Sequence, residues 1–318
     1  MEVEGPYDKC KDYQLQGPPE EYYSLLMRAT GRMAGAYKAG LMGSEDFLAT
    51  NHFNPNVGRT SPEAWGINPW GVTGDDPGAC WKKLEVAYKF ISQIARPLFP
   101  EYVPTEAFQS KFFDTHMTWN AYRAEVEYWK NSDPDYQALG HMNLNADNAY
   151  YWRDKEGKLD CGVIDWGGFG INSVGHKLWW CINCADFEHV RDHFMDYIRV
   201  FIRTYHEMGG PMLDEEVIRM MMILTCLGNT MFMVAAVPNC YNMCSTSEFA
   251  SITDRNDPRV AENIHGKSTL RTTLHVLNQG IRVLEELRAD ETLAAFVRDV
   301  IGGSWAMEPK SEAVINGT

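Results

Sequence analysis

Apolar residues recur at helical spacing through most of the chain. In residues 20–39, Tyr23, Leu26 and Met33 fall on overlapping faces, and Gly40 follows as a stop signal. The same spacing, bounded by glycine, proline or N-cap residues, predicts helices over residues 81–99, 105–130, 187–208, 214–237, 268–287 and 291–301, the last closed by Gly302-Gly303. This pattern is typical of a mainly α-helical protein.

One stretch differs, with short apolar-rich runs on either side of a turn. Residues 150–153 and 159–166 are joined by residues 154–158 (Asp-Lys-Glu-Gly-Lys), where the glycine suits a tight turn. This is the only strand pair that the pattern predicts. The fold class expected is therefore mainly α with a small β-hairpin.

Two segments carry no clear period. Residues 42–78 are rich in glycine, proline and asparagine, include Trp65 and Trp70, and are expected to form a long inserted loop. Residues 304–318 are expected to form a mobile tail. Residues 17–303, with this insertion, are expected to form one globular unit.

Composition narrows the classes of partner. The 318 residues are 45% hydrophobic, which allows a sizeable core. With 29 basic and 43 acidic residues the formal net charge is −14, and no basic run stands out. Neither a nucleic acid nor an anionic membrane surface is therefore expected as a partner. A metal ion or a cationic small molecule fits this charge better, although an acidic surface is often only a solubility device.

Two features bear on the location of the protein in the cell. Residues 1–17 are polar and acidic and lack the basic and apolar parts of a secretory signal, so a cytoplasmic protein is expected. Residues 220–237 approach the length of a membrane span, but Thr225, Gly228 and Asn229 interrupt the run. We expect this segment to be a buried core helix.

The cysteines allow two interpretations. Eight cysteines without a secretory signal indicate reduced thiols rather than disulfides. The pairs Cys181/Cys184 and Cys240/Cys244 could supply four thiolates to a zinc ion. Because Cys181 lies in an apolar stretch, where cysteine commonly serves as a small hydrophobic residue, packing is the favoured interpretation.

Two histidines are also spaced for metal binding. His189 and His193 lie one turn apart on a predicted helix, which permits a metal pair. The neighbouring sequence suggests no third ligand. A solvated helix face is therefore the favoured interpretation.

The most informative residues flank the predicted hairpin. His141 is followed by Asn143 and Asn148, and the strand after the turn ends in residues 164–166 (Ile-Asp-Trp). This arrangement resembles the HxDxxxxN loop and the IDW motif of the aminoglycoside phosphotransferase and choline kinase superfamily, relatives of the protein kinases. The resemblance is specific in residues 141–166.

The resemblance implies the helical carboxy-terminal lobe of a kinase-like fold, which uses ATP and magnesium to phosphorylate a small-molecule hydroxyl. By resemblance, Asn148 and Asp165 are the cofactor-binding residues and the magnesium ligands, with Asp165 supplying charge and Asn148 a neutral oxygen. His141 is the structural anchor of the loop. Catalysis of this reaction depends mainly on position and electrostatics, and a hairpin brings the two loop ends together.

The loop departs from the family's pattern at its catalytic position. Asn143 stands where the family has an aspartate, and a carboxamide orients a hydroxyl but is no useful proton acceptor. Losing such a base typically costs about a hundred- to ten-thousand-fold in rate. The nearby Asp147 is a candidate substitute base or extra metal ligand.

Two further departures concern the surroundings of the loop. The family's β-rich amino-terminal lobe is not predicted here, and residues 1–16, of which residues 6–13 resemble the connection between lobes, precede the helical part directly. Residues 175–180 (Gly-His-Lys-Leu-Trp-Trp) replace an aspartate that the family has after the metal motif. Two functions are consistent with these features: a weak or incomplete phosphotransferase, or a pseudokinase or binding module without phosphoryl transfer.

Overall fold

The computed structural model describes residues 3–5, 10, 14–43, 74–265 and 268–304, and within these ranges the chain is mainly helical. The helices are α1 (Pro19–Lys38), α2 (Pro77–Lys89), α3 (Glu106–Ala121), α4 (Arg123–Lys130), α5 (Val174–Ile182), α6 (Phe187–Glu207), α7 (Glu215–Met243), α8 (Thr246–Phe249), α9 (Pro258–Ala261), α10 (Leu270–Glu286), α11 (Ala289–Ala295) and α12 (Gly302–Ser304). The strands are β1 (Val3–Glu4), β2 (Gln137–His141), β3 (Ala149–Arg153), β4 (Leu159–Val163), β5 (Phe169–Ser173), β6 (Ile264–His265) and β7 (Ser268–Thr269).

The long helices form where the apolar spacing predicts them, and their ends follow local chemistry. Helix α1 has a proline in its first turn and is followed by Gly40, whose φ of +70° suits a residue without a Cβ. Helix α7 begins after Asp214, whose carboxylate accepts hydrogen bonds from two backbone N–H groups of the first turn.

The predicted helix boundaries are wrong in several places. The segment 81–99 changes to a π-helical turn at Phe90–Ile94, and the segment 105–130 is divided at Tyr122 between α3 and α4. The helix predicted to end at residue 237 continues to Met243. The helix end predicted at Gly302-Gly303 is also wrong, since the helical path continues through Phe296–Ile301 into α12. Local irregularities of this kind depend on packing, which periodicity does not report.

The predicted hairpin is confirmed. Strands β3 and β4 pair antiparallel, with Ala149 opposite Val163. In the turn between them Gly157 has a φ of +79°, and the Asp154 carboxylate accepts hydrogen bonds from two turn N–H groups. Strand β1 adds to this hairpin by pairing with β3.

The expectation of a single strand pair is wrong. Strands β2 and β5 form a second antiparallel pair, with His141 opposite Phe169, and β6 pairs with β7. The sequences of β2 and β5 contain glycines and alternate only weakly, and the hairpin separates them in the chain. The β2–β5 pair matters most for the site, because it encloses the hairpin and its two flanking loops.

Helices α1 and α6 cross at close range in the core. A Cβ added at Gly35 would lie 2.6 Å from the carbonyl oxygen of Tyr205 and 2.5 Å from the Cβ of Met208. Distances this short leave no space for a side chain. Helix α1 also packs against β2 and β4, so it joins α6 to the two strand pairs.

Helix α7 is the central apolar element. Among the described residues it alone is long and apolar enough to cross a membrane by length and composition. However, 61% of its most apolar window is buried inside the protein, where α7 packs against α5 and α10. This confirms the expected core helix and is compatible with a soluble protein.

Several expectations lie outside the described residues. These are most of the inserted loop (residues 44–73, with Trp65 and Trp70), most of the connection-like segment (residues 6–9 and 11–13), and the tail from residue 305 onward.

Candidate functional site

Two loops emerge from the same end of the strands. Residues 142–148 connect β2 to β3, and residues 164–168 connect β4 to β5; together they are called the loop pair below. The β2–β5 ladder is extended by a bond from the Met142 N–H to the Gly168 carbonyl, 2.6 Å, and the β3–β4 ladder by one from the Ile164 N–H to the Asn148 carbonyl, 2.9 Å. The two loops are thus held side by side at both ends.

His141 fastens the first loop to the second. Its side chain is 2% exposed, and its Nε2 lies 2.8 Å from the carbonyl oxygen of Asp165 and 3.1 Å from that of Ile164. Its Nδ1 accepts a hydrogen bond from the Asn143 N–H at 3.1 Å. An accepting Nδ1 requires the tautomer with the proton on Nε2, which then donates to the two carbonyls. These contacts hold the start of the first loop against the second loop.

Three asparagines form a small network within the first loop. The Asn148 Nδ2 donates to the Asn143 carbonyl at 2.6 Å, and the Asn145 Nδ2 donates to the Asn143 Oδ1 at 3.1 Å. Asn148 is 7% exposed. Because its amide nitrogen is held by Asn143, its Oδ1 is the atom that remains for another partner. An oxygen of this kind is a ligand that Mg²⁺ accepts.

Asp165, the second residue of the second loop, has an unusual backbone conformation. Its φ and ψ are 59° and 57°, in the left-handed region, where aspartate is tolerated better than most residues. The change of direction separates the exposed Asp165 side chain from the strand that precedes it. Trp166 follows, packing edge-on against His141 with ring centroids 5.4 Å apart.

Asn148 and Asp165 therefore lie on opposite sides of the end of the hairpin, in neighbouring loops. Since Ile164 bonds to the carbonyl of Asn148, Asp165 is one residue beyond a directly opposed position. Opposed residues in antiparallel pairs have Cα atoms about 4.5–5.5 Å apart. The structure thus brings together His141, Asn143, Asn148 and Asp165, all of which the sequence predicts as site residues.

Asp147 occupies a different position. It lies in the 3₁₀ turn Ala146–Asn148 and is half-buried. In such a turn successive side chains point about 120° apart, so Asp147 and Asn148 leave the backbone in different directions.

Lys177 is a supporting residue whose role the sequence did not predict. It lies on α5 and is 1% exposed, and its Nζ donates to the carbonyls of Gly170 at 2.8 Å and Gly140 at 3.3 Å. Nζ also lies 3.1 Å from the Sδ of Met142. A buried ammonium requires such acceptors. The segment 175–180 (Gly-His-Lys-Leu-Trp-Trp) thus supports the strands beneath the loop pair with a cation.

The cysteine pairs are not assembled into a metal site. Within the described ranges, no group of three or more His, Cys, Asp or Glu ligands that could hold a metal includes Cys181, Cys184, Cys240 or Cys244. Burial raises the pKa of the Cys181 and Cys240 thiols to about 12, which disfavours the thiolates that zinc requires. The interpretation as packing residues is the one that these contacts favour.

The neighbouring sequence suggested no third ligand for His189 and His193, but the fold supplies one. Glu20 of α1 joins the two histidines in one cluster, whose ligand atoms all lie within 4.8 Å of one another. Glu20 is remote in the sequence, so only the packing of α1 against α6 places it there.

The chemical role of the loop pair has to be inferred from its own residues and geometry. Comparisons of this chain with protein-family models, with curated proteins and with solved structures found no match.

Proposed function

We propose that this protein is an ATP- and magnesium-dependent phosphotransferase-like protein of the kinase-like type, acting weakly on a small-molecule hydroxyl. The observation that carries the proposal is the contact of His141 with the carbonyls of Ile164 and Asp165. This contact joins the histidine loop to the aspartate loop, which is the arrangement that the resemblance implies. The β2–β5 pair around the hairpin supports the same interpretation.

The donor set of the loop pair fits a magnesium ion that also contacts nucleotide phosphates. Asp165 offers an exposed carboxylate and Asn148 a neutral oxygen. Mg²⁺ is usually held by one or two protein oxygens together with water and phosphate oxygens. Bound there, the ion would neutralise charge on the phosphates during transfer.

Asn143 sets the limit on the rate. Its Oδ1 accepts from Asn145 and its carbonyl accepts from Asn148, so the side chain is fixed in place. A fixed amide positions an acceptor hydroxyl by hydrogen bonding but does not take its proton. Since position and electrostatics supply most of the acceleration, a reduced activity is expected.

A second candidate is a pseudokinase that binds a small molecule without phosphoryl transfer. It is favoured by Asn143 and by a depression of about 900 Å³ between α2 and α3, whose lining includes three aromatic rings, three carboxylates and one lysine, Lys89. Among these are Trp81, Phe113, Glu85 and Asp114. Aromatic rings beside carboxylates suit an organic cation.

A thermal-shift titration tests the proposal. ATP and Mg²⁺ together are expected to raise the Tm, whereas either one alone gives little change. Asp165→Asn removes the carboxylate charge that attracts the cation and is expected to reduce the shift strongly. The matched control is Asp160→Asn on β4. The Asp160 carboxylate accepts a hydrogen bond from the adjacent Cys161 N–H and lies outside the loop pair, so this variant is expected to keep the shift. An ATP shift of the same size with and without magnesium would favour the pseudokinase, and no shift with ATP and Mg²⁺ together would contradict the proposed phosphotransferase.

A further inference from the structure

Glu20, His189 and His193 form a second group of metal-ligand atoms, called the His-Glu cluster below. Glu20 lies in the first turn of α1, and the two histidines lie one turn apart on α6. Their ligand atoms are all within 4.8 Å of one another, and each residue is half-buried. We propose that this cluster binds a divalent transition-metal ion, zinc above all, independently of the loop pair.

Each histidine has one ring nitrogen left for the metal. The Tyr197 hydroxyl bonds to the Nε2 of His189, so Nδ1 remains. On His193, Nδ1 faces the Asp196 carboxylate at 3.9 Å, which is longer than a hydrogen bond, and Nε2 is the nitrogen that we assign to the metal. Metal-bound histidines commonly give their other nitrogen to a hydroxyl or carboxylate, which fixes the ring and makes it a better ligand.

The scaffold that carries the cluster is rigid. Helices α1 and α6 approach closely at Gly31 and Gly35, so the two ligand-bearing segments cannot slide freely. The Tyr23 ring packs against the His189 ring, with centroids 5.5 Å apart. Tetrahedral zinc places its ligand atoms roughly 3.3 Å apart, from bond lengths of about 2.0–2.1 Å. The ligand atoms, which lie within 4.8 Å of one another, must therefore move closer by up to about 1.5 Å when zinc binds.

Charge around the cluster favours a cation. Glu20 supplies the negative charge of the cluster, whereas the nearby carboxylates of Asp186 and Asp192 pair with Arg255 and Arg191. With neutral histidines, the three ligands therefore carry one negative charge. A divalent cation neutralises that charge.

The donor set separates this site from the magnesium site proposed for the loop pair. Imidazole nitrogen binds zinc and other late transition metals, whereas Mg²⁺ prefers oxygen. Two histidines and one carboxylate fill three positions of a tetrahedral zinc ion, and a water molecule fills the fourth.

Equilibrium dialysis of the metal-stripped full chain with Zn²⁺ tests the proposal, in a buffer with a phosphine reductant. One zinc ion per chain is expected to bind. Glu20→Gln and His193→Ala are expected to weaken binding by about 100-fold. The matched controls are Glu21→Gln, whose carboxylate pairs with Arg153, and His206→Ala on the same helix. Both controls keep the affinity of the unaltered chain.

Cobalt substitution distinguishes the His-Glu cluster from the cysteines. Co²⁺ in the cluster gives visible d–d bands without an intense thiolate charge-transfer band in the near ultraviolet. A thiolate band, a lack of zinc binding, or unchanged affinity in both Glu20→Gln and His193→Ala would overturn the proposal. Circular dichroism of each variant separates loss of a ligand from loss of the fold. Zinc binding that survives in Asp165→Asn is also expected, so this proposal can fail or hold independently of the proposed function.

Discussion

The loop pair and the His-Glu cluster bring polar side chains together in two different ways. In the loop pair, backbone hydrogen bonds and His141 join two loops that flank one hairpin. In the cluster, Glu20 meets His189 and His193 only because α1 packs against α6. A site of the first kind leaves a motif in the sequence, whereas a site of the second kind becomes visible only in the folded chain.

The two regions also differ in the chemistry that they offer. The loop pair presents oxygen atoms from Asp165 and Asn148, and the cluster presents two imidazoles and a carboxylate. Oxygen donors select magnesium and imidazole donors select zinc. If both proposals hold, removing one metal leaves the other site unaffected.

The largest effect is expected from adding a methyl group where α1 and α6 are in close contact. Gly35→Ala places a methyl group 2.6 Å from the Tyr205 carbonyl oxygen, so the helices must separate. The free energy of unfolding is expected to fall by about 3 kcal/mol, measured by urea denaturation. Zinc affinity should fall as well, while the Mg·ATP shift persists. Gly303→Ala is the control, since nothing lies within 4 Å of its added Cβ; an equal loss in both variants would contradict the close-packing explanation.

Placing a carboxylate at residue 143 tests whether this position faces the acceptor in the loop pair. Asn143→Asp keeps the oxygen that accepts from the Asn145 amide and adds a proton acceptor. The rate of ATP hydrolysis is expected to rise by about 100-fold, the lower end of what a positioned base contributes. Asn143→Ala, which has neither oxygen, should show no increase. Equal rates for the aspartate and asparagine forms would mean that residue 143 does not face the acceptor.

Replacing His141 or His193 by alanine should change the free energy of unfolding by very different amounts. His141→Ala removes a buried ring that bonds to both loops, and the free energy of unfolding is expected to fall by about 2 kcal/mol without any metal. His193→Ala in EDTA should change the free energy of unfolding by less than about 0.5 kcal/mol, because that side chain is 36% exposed. If instead His193→Ala were the more damaging in EDTA, the cluster would be a structural contact rather than a metal site.

The smallest effect is expected at the contact between the two regions. Arg153 of β3 pairs with Glu21 of α1 at 3.0 Å, and both side chains are more than a third exposed (36% and 47%). Exposed ion pairs contribute about 0.2–1 kcal/mol, so Glu21→Gln should lower the free energy of unfolding by about 0.5 kcal/mol or less. A loss of several kcal/mol in chemical denaturation would show that the regions are strongly coupled through this pair.

Elements that depend on interactions between residues close together in the chain were predicted from the sequence, and those that depend on distant residues were not. Local signals placed α1, and the turn at Gly157 placed the β3–β4 hairpin, since spacing and turn chemistry act between near neighbours. The β2–β5 pair was missed because its partners are separated by the whole hairpin. The division at Tyr122 was missed for a similar reason, as it reflects packing rather than period.

The same distinction applies to the candidate sites. His141, Asn148 and Asp165 were predicted from their resemblance to a known motif, whose residues lie close together in the chain around one hairpin. The role of Lys177 was not predicted, because its partners Gly140 and Gly170 lie on strands that no local pattern pairs. Glu20 was missed since nothing near it in sequence marks a ligand.

A double-mutant cycle on Mg·ATP binding tests most directly whether Asn148 and Asp165 hold one cation. Isothermal titration calorimetry would compare the unaltered chain with Asn148→Ala, Asp165→Asn and the double variant. If the two side chains share one ion, the double variant binds little more weakly than Asp165→Asn alone, with a coupling energy of about 1 kcal/mol or more. Effects that add to within about 0.5 kcal/mol would mean that the two residues act separately, and would contradict the shared site.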